Sequence, residues 1–219
     1  MNINSKYYLF LTGIIILSDV ALITLFAPTE IIMGDVQKIL YIHVPNAWVG
    51  FLFFFFVFIA SIMYLITKDI RWDYFGQSAG EIGVVTTTIM VISGAIWAKP
   101  VWGVWWTWDP KLTTSLIMWL MYIGYLMLRA YSSNQRQGAT YASVLGIISF
   151  INVPIVYMAS VWWRTVHPEM IMGPLKESDA GLTVSMGFIL IYSTFAFTVL
   201  GIFLLVRRFQ IQQLEQLSR

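Results

Sequence analysis

The chain contains no cysteine and only two histidines, His43 and His167, among its 219 residues. Without cysteine it can form no disulfide framework, thiol redox centre or thiolate metal site, and no cofactor can be attached through its own sulfur. Charge is also scarce, because 11% of the residues are charged, against about 25% in soluble domains. The net charge of +2 and the scattered basic residues give no indication of a nucleic-acid-binding surface.

Several motifs of enzymes are also missing. The sequence has no glycine-rich phosphate-binding loop and no nucleophile placed beside a base, so we expect neither an ATP site nor hydrolytic or phosphoryl-transfer chemistry. No long linker, internal repeat or low-complexity tract interrupts the chain. We therefore predict a single domain over residues 1–219, with a short cytoplasmic tail at 207–219.

The composition is that of a polytopic membrane protein, with 58% hydrophobic and 16% aromatic residues. A helix needs about 20 apolar residues to cross a ~30 Å hydrocarbon core. We expect the first such run to be an uncleaved span, because it is longer than the ~7–15 apolar residues of a signal peptide. The fold class is therefore all-α, with six transmembrane helices and Pro154 expected to kink the fifth. The six predicted spans are Tyr7–Ala27, Ala47–Thr67, Gly80–Ala98, Leu112–Tyr131, Ala139–Trp163 and Gly181–Val206.

The distribution of basic residues predicts the orientation in the membrane. With six spans, both termini and two loops lie on one side, and three loops lie on the other. The first side carries eight basic residues, Lys6, Lys68, Arg71, Arg129, Arg136, Arg207, Arg208 and Arg219. The second carries five, Lys38, Lys99, Lys111, Arg164 and Lys176. The positive-inside rule therefore predicts that both termini are cytoplasmic and that the other three loops face outward.

Five of the ten tryptophans fall between positions 97 and 108. Because Pro100 and Pro110 bracket this stretch, we expect a loop or short interfacial helix from Lys99 to Lys111. Tryptophan is common in the aromatic belts of membrane proteins, but a belt spreads over several helices and both interfaces. Such density in one outward segment favours a platform for a flat ligand.

The two histidines are predicted in outward loops at the level of this platform, His43 before the second span and His167 after the fifth. Two neutral imidazoles can supply both axial ligands of a haem iron. A closed zinc site would need about four ligands, whereas copper remains an alternative because Met170 and Met172 follow His167. A third alternative is a small-solute permease, although the spans offer few polar groups for a path.

Some charged residues could serve this site or the fold. Lys99, Lys111 and Arg164 are expected at the same level, where they could pair with ligand carboxylates or extend to the interface. Asp109 is expected to cap a helix that begins at the following proline. Asp19 lies within the first span, where a carboxyl group normally faces a partner or a cavity.

Residues 102–113 read Trp-Gly-Val-Trp-Trp-Thr-Trp-Asp-Pro-Lys-Leu-Thr. This segment resembles the signature of the WWD-motif haem-handling protein superfamily, and the chain is similar to the members that act in cytochrome c maturation. The segment at His43-Val44-Pro45 and the sequence Trp-Trp-Arg-Thr-Val-His at 162–167 extend the resemblance over nearly the whole chain. The family often has arginine at the position of Lys111. This chain keeps the positive charge there but lacks the paired N–H donors with which a guanidinium group binds a carboxylate.

The resemblance implies a non-catalytic subunit in the bacterial-type inner membrane that binds haem b transiently on its outer face, with His43 and His167 as axial ligands. It further implies delivery of haem to the chaperone CcmE, and work with the ATP-binding-cassette subunits CcmA and CcmB and the small protein CcmD. The haem-binding residues that it implies are His43, His167, Trp102, Trp105, Trp106, Trp108, Asp109, Lys111 and Arg164.

Overall fold

A computed structural model describes residues 3–167 and 182–217. Six of its helical segments are long and apolar enough to cross a membrane, which confirms the predicted all-α fold with six spans. The α-helices in the described ranges are α1 (Ile3–Ala21), α2 (Leu40–Thr67), α3 (Ile70–Trp102), α4 (Pro110–Ala130), α5 (Gln135–Phe150), α6 (Asn152–Trp162) and α7 (Val184–Leu217). The fifth span is composed of α5 and α6, and a π-helical turn at Leu22–Phe26 extends α1 to the proline at position 28.

A break between α5 and α6 lies close to Pro154, where a kink was expected. Helix α5 ends at Phe150, and Pro154 is the third residue of α6. Proline has no N–H to donate to the carbonyl four residues earlier, which here belongs to Phe150. The regular helix is therefore interrupted close to the point where that hydrogen bond is lost.

The start of α2 differs from the prediction. Helix α2 begins at Leu40 and contains Pro45, so His43 lies in a helix and not in the predicted loop. The reason is burial, because Leu40 and Tyr41 pack with Ile189 and Leu190 of α7 in a hydrophobic cluster. This packing stabilises the first turns of α2 as helix, although the proline and the polar residues around it do not favour a helix there.

Helix α3 is longer than predicted at both ends, running from Ile70 to Trp102 instead of from Gly80 to Ala98. At its start, Asp73 is buried and its carboxylate accepts from Arg129 Nη2 of α4 at 2.6 Å, which ties the first turn of α3 to the bundle. At its end, the helix continues through Pro100 to a left-handed C-cap at Gly103. The predicted loop after Lys99 is therefore confined to residues 103–109.

The centre of the bundle is aromatic. Phe54 of α2 stacks on Tyr122 of α4 with ring centroids 3.5 Å apart, and both side chains are fully buried. Gly83 of α3 allows this stack, because a Cβ there would lie 2.5 Å from the Phe54 ring. The run of four phenylalanines at 53–56 therefore does not present a uniform surface to lipid: Phe53 is also fully buried, whereas Phe55 is 43% exposed.

Asp19 of α1 has a partner on the last span. Its carboxylate accepts a hydrogen bond of 2.7 Å from Ser193 of α7, and both residues are buried. The neighbouring residues repeat the contact, since the hydroxyls of Ser18 and Tyr192 lie 2.6 Å apart. These polar pairs fasten α1 to α7, as polar side chains do between membrane helices.

Candidate functional site: a cavity between two histidines

A cavity of about 390 Å³ opens at one end of the bundle, which is within the range of cofactor sites. The first turns of α2, the end of α3, the start of α4, the middle of α6 and the start of α7 surround it. Its lining includes six residues that the sequence singled out: His43, His167, Trp97, Trp102, Trp106 and Lys111. The folding of α2 and α3 beyond their predicted ends therefore brings the histidines and tryptophans to one place.

The His43 ring is held by helix α3. Its Nδ1 lies 2.9 Å from the carbonyl oxygen of Met90 and 3.2 Å from Ser93 Oγ. A carbonyl only accepts hydrogen bonds, so Nδ1 carries the proton in this arrangement. The neutral ring then keeps the lone pair of Nε2 available for a metal, which is the usual way in which a second contact orients a histidine ligand.

His167 and His43 both line the cavity, and the centroids of their two rings are 6.4 Å apart. If both rings bind one metal at the about 2.0 Å typical of imidazole nitrogen, their centroids lie roughly 6.2 Å apart, counting about 1.1 Å from each centroid to its nitrogen. The ring planes are inclined by 35°. The two imidazoles therefore have the separation that axial ligation from opposite sides requires.

Gly94 of α3 provides the space for the His43 ring. A Cβ at this position would lie 2.8 Å from His43 Cε1 and 3.3 Å from Nδ1. On the other side, the ring of Trp97 meets His43 edge to face at a centroid distance of 5.9 Å. About two turns of α3, from Met90 to Trp97, thus fix the imidazole by a hydrogen bond, a close backbone approach and an aromatic contact.

The tryptophan stretch divides into two groups. Trp97, Trp102 and Trp106 line the cavity, whereas Trp105 and Trp108 do not and are 57% and 76% exposed. Trp105 and Trp108 also do not share a helical face, because residues 103–109 form a loop.

Of the three cations predicted at this level, Lys111 lines the cavity. Its Nζ donates to Ser160 Oγ at 3.2 Å, and no carboxylate of the described residues lies within 4.0 Å of it. Lys99 instead donates to the carbonyl of Gly103, and Arg164 is exposed outside the lining. Lys111 is therefore placed to meet a carboxylate of a ligand.

Asp109 does not line the cavity, and its carboxylate instead accepts hydrogen bonds from two parts of the fold. One carboxylate oxygen accepts from the backbone N–H of Leu112 at 2.9 Å, which confirms the predicted N-cap of α4. The other oxygen accepts from the Thr165 hydroxyl at 2.5 Å and from the Val166 N–H at 3.1 Å. The segment that carries His167 is therefore fastened to the loop that carries the tryptophans.

Several buried polar atoms of lining residues have no hydrogen-bond partner within the described ranges. They are Trp97 Nε1, Trp106 Nε1, Tyr157 Oη and Gln37 Oε1. An unsatisfied buried polar group costs about 1–3 kcal/mol, so a ligand with complementary polar groups would be stabilised here. Haem combines an aromatic macrocycle, an iron atom and two carboxylates, and the lining residues fit each of these parts.

The sequence did not predict the roles of Gly94, Met90, Tyr157 and Gln37. Met90 acts through its backbone carbonyl, and Gly94 through its lack of a side chain, so neither gives a compositional signal. Tyr157 and Gln37 reach the cavity only because α6 and the 3₁₀ turn at Asp35–Ile39 pack beside it. The alternative ligands Met170 and Met172 lie outside the described residues. Residues 3–167 and 182–217 contain no cluster of three or more His, Asp or Glu suited to a metal ion.

Comparison with known proteins gives consistent matches. The family model described as "Heme exporter protein C" matches residues 2–219. Proteins of that name are 33% identical in Bradyrhizobium diazoefficiens, over 88% of this chain and 76% of the relative, and 30% identical in Haemophilus influenzae, over 97% and 85%. A Marchantia polymorpha protein described as a ccmC-like mitochondrial protein of cytochrome c biosynthesis is 33% identical over 84% of this chain and 78% of its own length.

Proposed function

Since the chain belongs to the haem exporter protein C (CcmC) family, whose role is haem handling for cytochrome c maturation, we propose that it binds haem between His43 and His167 and releases it to an acceptor. The observation that carries this proposal is the pair of imidazoles in the lining of one cavity, with ring centroids 6.4 Å apart. His43 lies in α2 and contacts α3, whereas His167 lies in the segment after α6, so the two ligands come from distant parts of the chain.

The remaining lining residues suit the other parts of haem. Trp102 and Trp106 offer aromatic surface to the macrocycle, and the Lys111 ammonium group can pair with a carboxylate. Burial of the macrocycle among these side chains stabilises the complex without a covalent bond, so the ligand remains b-type haem. Reversible ligation by two imidazoles is compatible with handover, because either bond can be exchanged for a ligand of the acceptor.

The proposed site lies at the end of the bundle that the basic residues predict to face outward. We therefore place it on the outer side of a bacterial-type inner membrane, with both termini in the cytoplasm. Trp105 and Trp108 are exposed beside the cavity, where they can contact an acceptor. The family relationship makes CcmE the proposed acceptor, and the proposed assembly includes CcmA, CcmB and CcmD. With no ATP site predicted in this chain, the energy for release is assigned to the ATP-binding-cassette subunits.

The proposal is tested by replacing both His43 and His167 with alanine and measuring haem content and cytochrome c maturation in cells that lack the native protein. We expect both to be lost while the amount of membrane-inserted protein is unchanged. Gly13→Ala is the matched control, because nothing lies within 4 Å of a Cβ at that position in α1. Normal haem content and maturation in the double variant would refute the ligand assignment. Solute transport by purified protein without haem absorbance would support a permease instead.

A further inference from the structure

We propose that Asp109 is a positioning residue for His167, holding this axial ligand at the distance from His43 that haem requires. The inference rests on the proposed function, since it concerns how one of its two ligands is placed. It departs from the role that the sequence resemblance implies, because the Asp109 side chain lies outside the cavity lining.

The two carboxylate oxygens of Asp109 accept hydrogen bonds from two different segments of the chain. Oδ1 caps α4 through the N–H of Leu112, which fixes the aspartate to the start of a membrane span. Oδ2 accepts from both the hydroxyl of Thr165 and the N–H of Val166. One carboxylate oxygen thus holds two successive residues of the segment that precedes His167, at 2.5 Å and 3.1 Å.

Thr165 links Asp109 to His167 by a second hydrogen bond. Its Oγ1 accepts a hydrogen bond of 3.1 Å from the backbone N–H of His167 while it donates to Asp109. Residues 163–167 are not helical, so no regular backbone pattern holds the histidine in place. The chain Asp109–Thr165–His167 therefore restrains the backbone that carries the His167 ring, whereas the His43 ring is bound directly by helix α3.

The test uses four variants of the full-length protein, purified with haem, and compares their absorption spectra and haem affinities. We expect Asp109→Asn and Thr165→Val to shift haem from a six-coordinate low-spin to a five-coordinate high-spin spectrum, with affinity lower by about 10- to 100-fold. Thr165→Ser keeps the hydroxyl and is expected to retain the wild-type spectrum. Asp69→Asn is the matched control, because Asp69 caps α3 through the N–H of Arg71 but is remote from His167.

Two further measurements separate positioning from a general structural role. Free imidazole is expected to restore the low-spin spectrum in Asp109→Asn and Thr165→Val, since it can occupy a position that His167 has left. Combining the two substitutions is expected to cost no more than the larger single effect, because they break one chain of hydrogen bonds. Thr165→Val keeps the cap of α4, so it tests the inference even if Asp109→Asn does not fold.

The outcomes distinguish this inference from the proposed function. If His167→Ala changes the spectrum but Asp109→Asn and Thr165→Val keep the wild-type spectrum and affinity, the positioning role is wrong and the ligand assignment stands. If His167→Ala leaves the spectrum unchanged, the proposed ligand itself is wrong, and the inference is overturned with it.

Discussion

Gly94→Ala is the substitution whose effect on the site can be worked out most fully from the structure. The added Cβ would lie 2.8 Å from His43 Cε1, whereas carbon atoms pack at about 3.5 Å or more. The ring would therefore move away from α3 by roughly 0.7 Å, which exceeds the roughly 0.5 Å tolerance of a functional constellation. The bond from Nδ1 to the carbonyl of Met90, 2.9 Å long in the structure, would lengthen beyond hydrogen-bonding range.

Loss of such an orienting contact costs about 10- to 100-fold in metal affinity, or about 1.4–2.7 kcal/mol. We expect haem titration of purified Gly94→Ala to show this decrease, together with a larger high-spin fraction. Thermal stability should not fall in parallel, because alanine favours a helix interior over glycine by about 1 kcal/mol. Gly13→Ala gains the same propensity without approaching the site and is the control. Wild-type affinity and spectrum in Gly94→Ala would refute the assigned role of His43 and its contact with α3.

Two further substitutions test charged residues. Lys111→Met should weaken binding of haem roughly 10- to 100-fold, since a hydrogen bond to a charged group contributes about 1.5–3 kcal/mol. Binding of haem dimethyl ester, which lacks the carboxylates, should not change. Equal losses of affinity for both ligands in titrations would contradict a carboxylate contact. Arg129→Met should destabilise the fold by about 3–5 kcal/mol because it leaves the buried carboxylate of Asp73 unpaired. Adding Asp73→Asn should recover part of the loss in thermal unfolding, and no recovery would mean that the pair is not coupled.

The spans were predictable because a membrane imposes a strong constraint on sequence, so long apolar runs identify helices with little dependence on context. The cap at Asp109 and the helix break close to Pro154 were predictable for a different reason, since each rests on local backbone chemistry. The ends of α2 and α3 were not. They depend on burial of Tyr41 against α7 and on the pairing of Asp73 with Arg129, which are contacts between distant parts of the chain.

The residues of the site were likewise predictable only in part. The residue types pointed to His43, His167 and the tryptophans, because ligand chemistry is a property of side chains. Which tryptophans face the cavity depends on where α3 ends and the following loop turns, and that end is set by Gly103 with its positive φ of 78°. The importance of Gly94 could not be predicted, because a glycine in a membrane helix gives no indication of which ring lies against it.

The central claim is that His43 and His167 ligate one haem from opposite sides. Its most direct test is the absorption spectrum of the purified full-length protein with and without reductant, compared with the His43→Ala and His167→Ala variants. We expect a low-spin six-coordinate spectrum with sharp, split bands on reduction in the wild type, and a five-coordinate high-spin spectrum in each single variant. A wild-type protein without haem absorbance, or single variants with an unchanged low-spin spectrum, would contradict it.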